Sequence, residues 1–234
     1  MSADFTRVGI ALASPARSAI VGHLLAGGSV SASMLAKAAR IAPSTASGHL
    51  SVLRAAGFVT EESRGRHRFY SIAAPDLAEA LEALARICPP VSVRSLGQSI
   101  AGRQLAFART CYDHLAGQVG VAILDALLER RWVRPDGPGY ALTSAGARGL
   151  AALGVDIDAA RGARRTFAKP CLDWTERRFH LAGALGAVLC SNALERGWFR
   201  REGIAGRSLI LTPDGQAGLS SLGVDGSSLV RLAS

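Results

Sequence analysis

The stretch Ala42-Pro-Ser-Thr-Ala-Ser-Gly-His-Leu-Ser-Val-Leu-Arg-Ala-Ala-Gly-Phe-Val59 reads as a short helix that ends at Gly57. Pro43 suits a first helical position, where its missing N–H costs nothing. Helical spacing puts Ser44, Thr45, Ser47 and His49 on one side, and Leu50 and Leu53 on the other. A helix that enters a DNA major groove must be slim and must show hydrogen-bonding side chains near its N-terminus. These residues meet both demands, although a solvated helix start has the same composition.

The flanking residues sharpen the choice. Upstream, Ser31-Ala-Ser33 caps a helix over Met34–Arg40, which Ile41-Ala-Pro43 breaks. Before that, Ser14-Pro15 opens a helix with Ile20, Leu24 and Leu25 on its apolar face. Two short helices joined by a tight turn, the second rich in Ser, Thr and His, form a helix-turn-helix pattern. Downstream, Phe58–Glu62 reads as a strand, Ser63-Arg64-Gly65-Arg66 as a turn, and His67–Ile72 as the return strand. Arg64, Arg66 and Arg68 make this hairpin a basic wing able to lie on a phosphate backbone, and Arg54 adds to the same charge.

Taken together, Ala42–Val59, Arg64-Gly65-Arg66 and Phe69-Tyr70-Ser71-Ile72 resemble the ArsR/SmtB winged-helix repressors over about a third of the chain. The resemblance implies a recognition helix over Ser44–Leu50, a wing over Glu61–Phe69, and a homodimer paired through the first helix and Pro75–Cys88. Leu77, Leu81, Leu84 and Ile87 form an apolar stripe on that last helix, fit for a dimer seam or for its own domain. The chain departs from the family's metal sensors. Met34–Arg40 carries no thiol, and Pro75–Cys88 has Asp76, Glu79 and Glu82 but no histidine. Any signal must therefore be read elsewhere.

Pro89-Pro90 marks a boundary, because neither residue continues a helix. Beyond it, a helix is expected from about Leu96 to Thr110, and then the chain is internally duplicated. His114–Trp132 matches His180–Trp198, and Leu142–Asp156 matches Leu211–Asp225, with three extra residues in the second copy between Arg201 and Ser208. Each copy reads as helix, hairpin, helix. The expected fold is mainly α with short β-hairpins, an α+β chain. It has a winged helix-turn-helix over 1–90 and, over 91–234, a pseudo-symmetric repeat of winged-helix-like units at about 111–156 and 171–225.

Each copy is preceded by a chemically dense segment: Cys111-Tyr112-Asp113-His114 in the first, and Cys171-Leu172-Asp173-Trp174, followed by His180, in the second. Four readings stand open. Cys111, His114, Cys171 and His180 are candidate ligands for an ion such as zinc. Against this, neither unit has a tight Cys-x-x-Cys pair, and nine residues separate Cys171 from His180. Alternatively, Cys111 and Cys171 lie at helix starts and react with oxidants or electrophiles. Or Tyr112, Trp132, Trp174 and Trp198 line a pocket for a small organic effector, with Asp113 and Asp173 as its polar groups. Or the aspartates cap helices, the histidines satisfy buried polar groups and the tryptophans fill the core.

Composition bounds the function. Of 234 residues, 49% are hydrophobic and 19% charged, which excludes a disordered chain. The formal charge is +9, and all but Lys37 and Lys169 of the 27 basic residues are arginine, which suits a polyanionic partner. The longest apolar run, Leu181–Cys190, is far short of the ~20 residues of a membrane span. Four scattered cysteines do not make a secreted disulfide scaffold. No phosphate-binding glycine loop and no nucleophile elbow appears. The expectation is a cytoplasmic, non-enzymatic regulator that binds double-stranded operator DNA as a homodimer. Its C-terminal domain senses a ligand, a metal or a thiol-reactive signal. A thiol-dependent hydrolase and a non-sensing DNA-binding scaffold are the alternatives.

Overall fold

The computed structural model describes residues 5–25, 28–88, 96–201, 207–225 and 229. The Pro89-Pro90 boundary and most of the insertion between Arg201 and Ser208 lie outside these residues. The chain divides into two compact units, the first made mainly of the residues through Ile87 and the second of most residues from Cys88 onward.

The first unit runs α1 (Thr6–Leu12), α2 (Pro15–Leu24), β1 (Val30–Ser31), α3 (Ala32–Ala38), α4 (Pro43–Ala55), β2 (Val59–Arg64), β3 (His67–Ile72) and α5 (Pro75–Ile87). The caps expected from sequence form. Ser14 Oγ accepts from Arg17 N at 3.5 Å, and Ser31 Oγ accepts from Met34 N at 3.4 Å. The turn from α3 to α4 passes through Arg40 at φ 54°, a left-handed position that costs a residue other than glycine about 1 kcal/mol or more. Ile20, Leu24, Leu35, Leu50, Leu53, Phe58 and Ile72 form the core, so α4 buries its leucines and turns its serines outward. The sheet order is β1-β3-β2, antiparallel throughout. Strand β1 has no signature in the sequence. It is two residues long, and its pairing of Val30 with Tyr70 is non-local.

The second unit contains α6 (Leu96–Phe107), β4 (Arg109–Cys111), β5 (His114–Ala116), α7 (Gly117–Glu129), β6 (Val133–Asp136), β7 (Gly139–Leu142), α8 (Ser144–Ala152) and α9 (Ile157–Gly162). It continues through β8 (Lys169–Leu172), β9 (Phe179–Ala182), α10 (Gly183–Glu195), β10 (Phe199–Arg201), β11 (Leu209–Leu211) and α11 (Pro213–Leu222). Its strands pair as four antiparallel hairpins: β4-β5, β6-β7, β8-β9 and β10-β11. Leu115, Val119, Ile123, Leu127, Leu181, Leu185, Leu189 and Leu219 build one core, in which Cys190 is 2% exposed. Trp132 and Trp198 lie against this core as well. Gly149 and Gly218 leave the room their rings occupy, so neither indole is free to line an effector pocket. Among the described residues no helix is long and apolar enough to cross a membrane.

Two expectations are corrected by the structure. The helix before the first copy stops at Phe107 rather than Thr110, and Cys111 and Cys171 lie in strands, not at helix starts. The reason is local. Arg109-Thr110-Cys111 is fully buried and pairs with His114-Leu115-Ala116 across a two-residue turn, which satisfies its backbone in a ladder.

Candidate functional site

On the first unit, α4 and the β2-β3 hairpin form an open groove lined by Ser47, Ser51, Arg54, Arg66, Arg68 and Tyr70. Ser44, Thr45 and Ser47 are exposed, and His49 is half-buried. The arginines differ in how they are held. Glu61 receives Arg54 Nη1 at 3.1 Å, Arg68 Nε at 3.7 Å and the Tyr70 hydroxyl at 2.8 Å. Arg64 pairs with Glu62 at 2.7 Å and lies over the Phe69 ring. Among the described residues Arg66 has no ion pair. Such exposed pairs contribute at most about 1 kcal/mol, so a phosphate can take these guanidinium groups over. Glu61 thus keeps the groove's cations in place without neutralising the wing tip.

The second unit gathers two of its thiols and two imidazoles into one cluster. The donor atoms of Cys111, His114, Cys171 and His180 all lie within 4.8 Å of one another. The two Sγ atoms are 4.0 Å apart, and the two Nε2 atoms 3.2 Å. Strand pairing explains the meeting. Cys111 faces His114 across the β4-β5 ladder, and Cys171 faces His180 across β8-β9. The first hairpin turns through Tyr112 and Asp113, with Tyr112 at φ 58°, whereas the second turns through a longer loop. Nine residues of sequence thus collapse to one cross-strand pair.

The packing is crossed. Strand β5 lies against α10, and β9 lies against α7. Gly120 of α7 and Gly186 of α10 let each helix close on the strand that precedes it while touching the histidine of the other hairpin. A Cβ on Gly120 would lie 2.5 Å from Leu115 O and 3.4 Å from His180 Cβ. On Gly186 it would lie 2.5 Å from Leu181 O and 3.3 Å from His114 Cβ. Sequence reasoning missed both glycines. The signal was present in the duplicated His-Leu-Ala-Gly-x-x-Gly at His114 and His180.

A carboxylate stands behind each imidazole. Asp113 Oδ1 is 3.2 Å from His114 Nδ1, and Asp173 Oδ2 is 3.1 Å from His180 Nδ1, the latter at an oblique angle. The two carboxylates are held unequally. Asp173 is fully buried and accepts from Arg109 Nη2 (2.8 Å), Thr175 N (2.9 Å), Thr175 Oγ1 (2.7 Å) and Gly117 N (2.7 Å). It therefore anchors the start of α7, in the other copy, rather than its own helix. Asp113 is one-third exposed and is held by Arg165 at 2.6 Å. The Arg109 guanidinium lies 4.5 Å from the Trp174 ring, so Trp174 covers a buried ion pair instead of facing a pocket.

Electrostatics follow from this packing. Burial pushes the Asp173 carboxyl up, but His180 and the Arg109 guanidinium more than offset it and hold it well below the usual carboxylate range. The Cys111 thiol, with the two imidazoles, outweighs burial at Cys171 and lowers its thiol to about 2. At His114 burial opposes protonation, while Asp113 and Cys171 favour it more strongly and raise the imidazole. Burial above all pushes Cys190 up to about 12.

Known proteins resemble this chain at two scales. Residues 12–62 match the model of a helix-turn-helix domain. A Bacillus subtilis (strain 168) protein named as an HTH-type transcriptional regulator, YdfF, is 41% identical over 201 residues, spanning 86% of this chain and 89% of the relative. Two solved structures are similar to part of the chain. The cadmium metal-sensor CMTR from Mycobacterium tuberculosis is 35% identical over 38% of this chain and 99% of its own, with a TM-score of 0.31. An ArsR family transcriptional regulator is 30% identical over 35% and 87%, with a TM-score of 0.30.

Proposed function

This chain belongs to the HTH-type transcriptional regulators, and from that footing we propose that it is a homodimeric, signal-responsive repressor of the ArsR type acting in the cytoplasm. It binds DNA through its first unit. In the proposed complex two α4 helices enter successive major grooves of a pseudo-palindromic operator, about one helical turn apart. Ser44, Thr45, Ser47 and His49 face base edges or phosphates, while Arg54, Arg64, Arg66 and Arg68 hold the backbone. The dimer is supported by apolar side chains left open on α1 and α5, among them Phe5, Ile10 and Ile87.

The second unit is the effector module, read as a duplication whose two helix-hairpin-helix copies share one site. The observation that carries this reading is the convergence of two thiols and two imidazoles, from two separate hairpins, within 4.8 Å. An effector shifts DNA affinity only if it binds the DNA-competent and DNA-incompetent states unequally. A site shared by two halves of one core is well suited to that, because its occupancy changes how the halves are held. The 4.0 Å approach of the Sγ atoms favours a second reading, in which a thiol-reactive compound is the signal. The thiol-hydrolase alternative draws no support, since Cys111 is 3% exposed and its Sγ faces Cys171.

The test is fluorescence anisotropy of labelled DNA from upstream of the protein's own gene. We expect tight binding that weakens steeply with salt, and an affinity that changes when the cluster is loaded or its thiols are modified. Salt-insensitive binding would refute the DNA-binding face, and affinity indifferent to every change at the cluster would refute the effector module.

A further inference from the structure

We propose that Cys111, His114, Cys171 and His180 form a closed, four-coordinate N2S2 site for one zinc-class divalent cation per chain. This names the signal class of the effector module and rests on that reading for its regulatory meaning only; the site itself stands on geometry. In a tetrahedron with zinc–nitrogen bonds of about 2.05 Å and zinc–sulfur bonds of about 2.3 Å, donors are separated by about 3.3 Å (N to N) and about 3.8 Å (S to S). The observed separations are 3.2 Å for the two Nε2 atoms and 4.0 Å for the two Sγ atoms. Two edges of the coordination polyhedron are thus already near their lengths, and the remaining nitrogen–sulfur edges are all within 4.8 Å.

The carboxylates strengthen the argument. His114 Nδ1 is hydrogen-bonded to Asp113, and His180 Nδ1 lies 3.1 Å from Asp173 but is not aligned for a hydrogen bond to it. An imidazole that gives its Nδ1 proton to a carboxylate carries a bare lone pair on Nε2. Two Nε2 atoms 3.2 Å apart must either share one proton or hold a cation between them, and a cation satisfies both at once. A carboxylate–imidazole–metal chain is the arrangement that orients histidine ligands in metal sites. The donor set selects the ion, because tetrahedral S2N2 shells suit zinc and its soft neighbours rather than magnesium or calcium. Four protein donors leave no open position for a substrate, so the ion here clamps and reports rather than catalyses.

The two halves of the site are unequal. His180 and Asp173 are almost fully buried, with Arg109, Thr175 and Gly117 fixing the carboxylate. Asp113 is one-third exposed and rests on Arg165. The His114 half is therefore the side from which the ion enters and leaves.

The experiment uses the full-length chain, stripped with a chelator under reducing conditions and titrated with Co2+ and then Zn2+. We expect one Co2+ per chain, with the strong visible absorption of tetrahedral cobalt and sulfur-to-cobalt charge transfer, both erased by one equivalent of Zn2+. Cys171→Ser should remove the charge-transfer intensity contributed by that sulfur. Asp113→Asn, at a partly exposed position, should weaken Zn2+ by about 10–100-fold while leaving the cobalt spectrum tetrahedral. A wild-type cobalt spectrum that is weak and octahedral, or binding below one ion per chain, overturns the site without recourse to any variant. Tetrahedral cobalt bound with no change in operator affinity sustains the site and counts against the effector module instead.

Discussion

Replacing Gly120 by alanine should destabilise the second unit, whereas the same replacement at Gly22 should stabilise the first. Both glycines lie inside helices, α7 and α2, where alanine is favoured by about 1 kcal/mol. At Gly22 a Cβ meets nothing within 4 Å, so the full gain of about 1 kcal/mol is expected. At Gly120 the Cβ would lie 2.5 Å from Leu115 O, a backbone atom one residue from His114. Relief requires β5 to move by roughly an ångström, and overpacking of this kind costs about 1–3 kcal/mol before the helix gain is subtracted. The net expectation is a loss of up to about 2 kcal/mol. The assay is urea unfolding followed by a probe for each unit, supported by thermal melts. If Gly120→Ala is as stable as the parent, the close approach of β5 to α7 does not constrain this fold and the reasoning fails.

Four further outcomes are expected from the same structure. Asp173→Ala, which leaves the Arg109 guanidinium buried and unpaired, should cost about 3–5 kcal/mol in urea unfolding, against about 1 kcal/mol or less for the more exposed Asp113→Ala. Arg66→Ala should lower operator affinity for all sequences alike and reduce the log–log salt slope by about 1; lost sequence preference with an unchanged slope would contradict a phosphate contact. Cys190 should resist thiol reagents in the native state, since a thiol at about 12 is almost wholly protonated at pH 8, and should label only as pH approaches that value or the chain unfolds. Ile87→Asp should convert the proposed dimer to monomers in sedimentation, because Ile87 is 80% exposed within a single chain; a dimer unchanged by it would move the seam off α5.

Much of the first unit was legible because its signals are local. Ser14-Pro15, Ser31 and Pro43 announce helix starts within a turn of where they occur, and the wing follows from the alternation of His67–Ile72 around a glycine turn. Strand β1 was not legible, since two residues have no period of their own and pair only through Tyr70 and Phe69. In the second unit the matching stretches after His114 and His180 were readable by comparing the chain with itself, and the four cluster residues were among the candidates. What sequence spacing concealed was their meeting. Ligand spacing is usually judged along a helix or a tight loop, and by that measure Cys171 and His180 are too far apart. Strand register measures distance across the ladder, where they are neighbours. Arg109 and Arg165 support the aspartates from other elements, and a side chain's partner in a distant element leaves no periodic trace.

The crossed seating of β5 on α10 and β9 on α7 also bears on ancestry and control. In a two-chain version of this module, each protomer would lend its hairpin to the other, and the shared cluster would assemble only as fast as subunits meet. Joining the copies in one polypeptide replaces that concentration dependence with a fixed effective concentration. On the proposed reading, assembly of the cluster then needs no encounter between chains. If the module is such a duplication, its two halves are released from identity: one is fixed around the buried Asp173, while the other rests on the part-exposed Asp113.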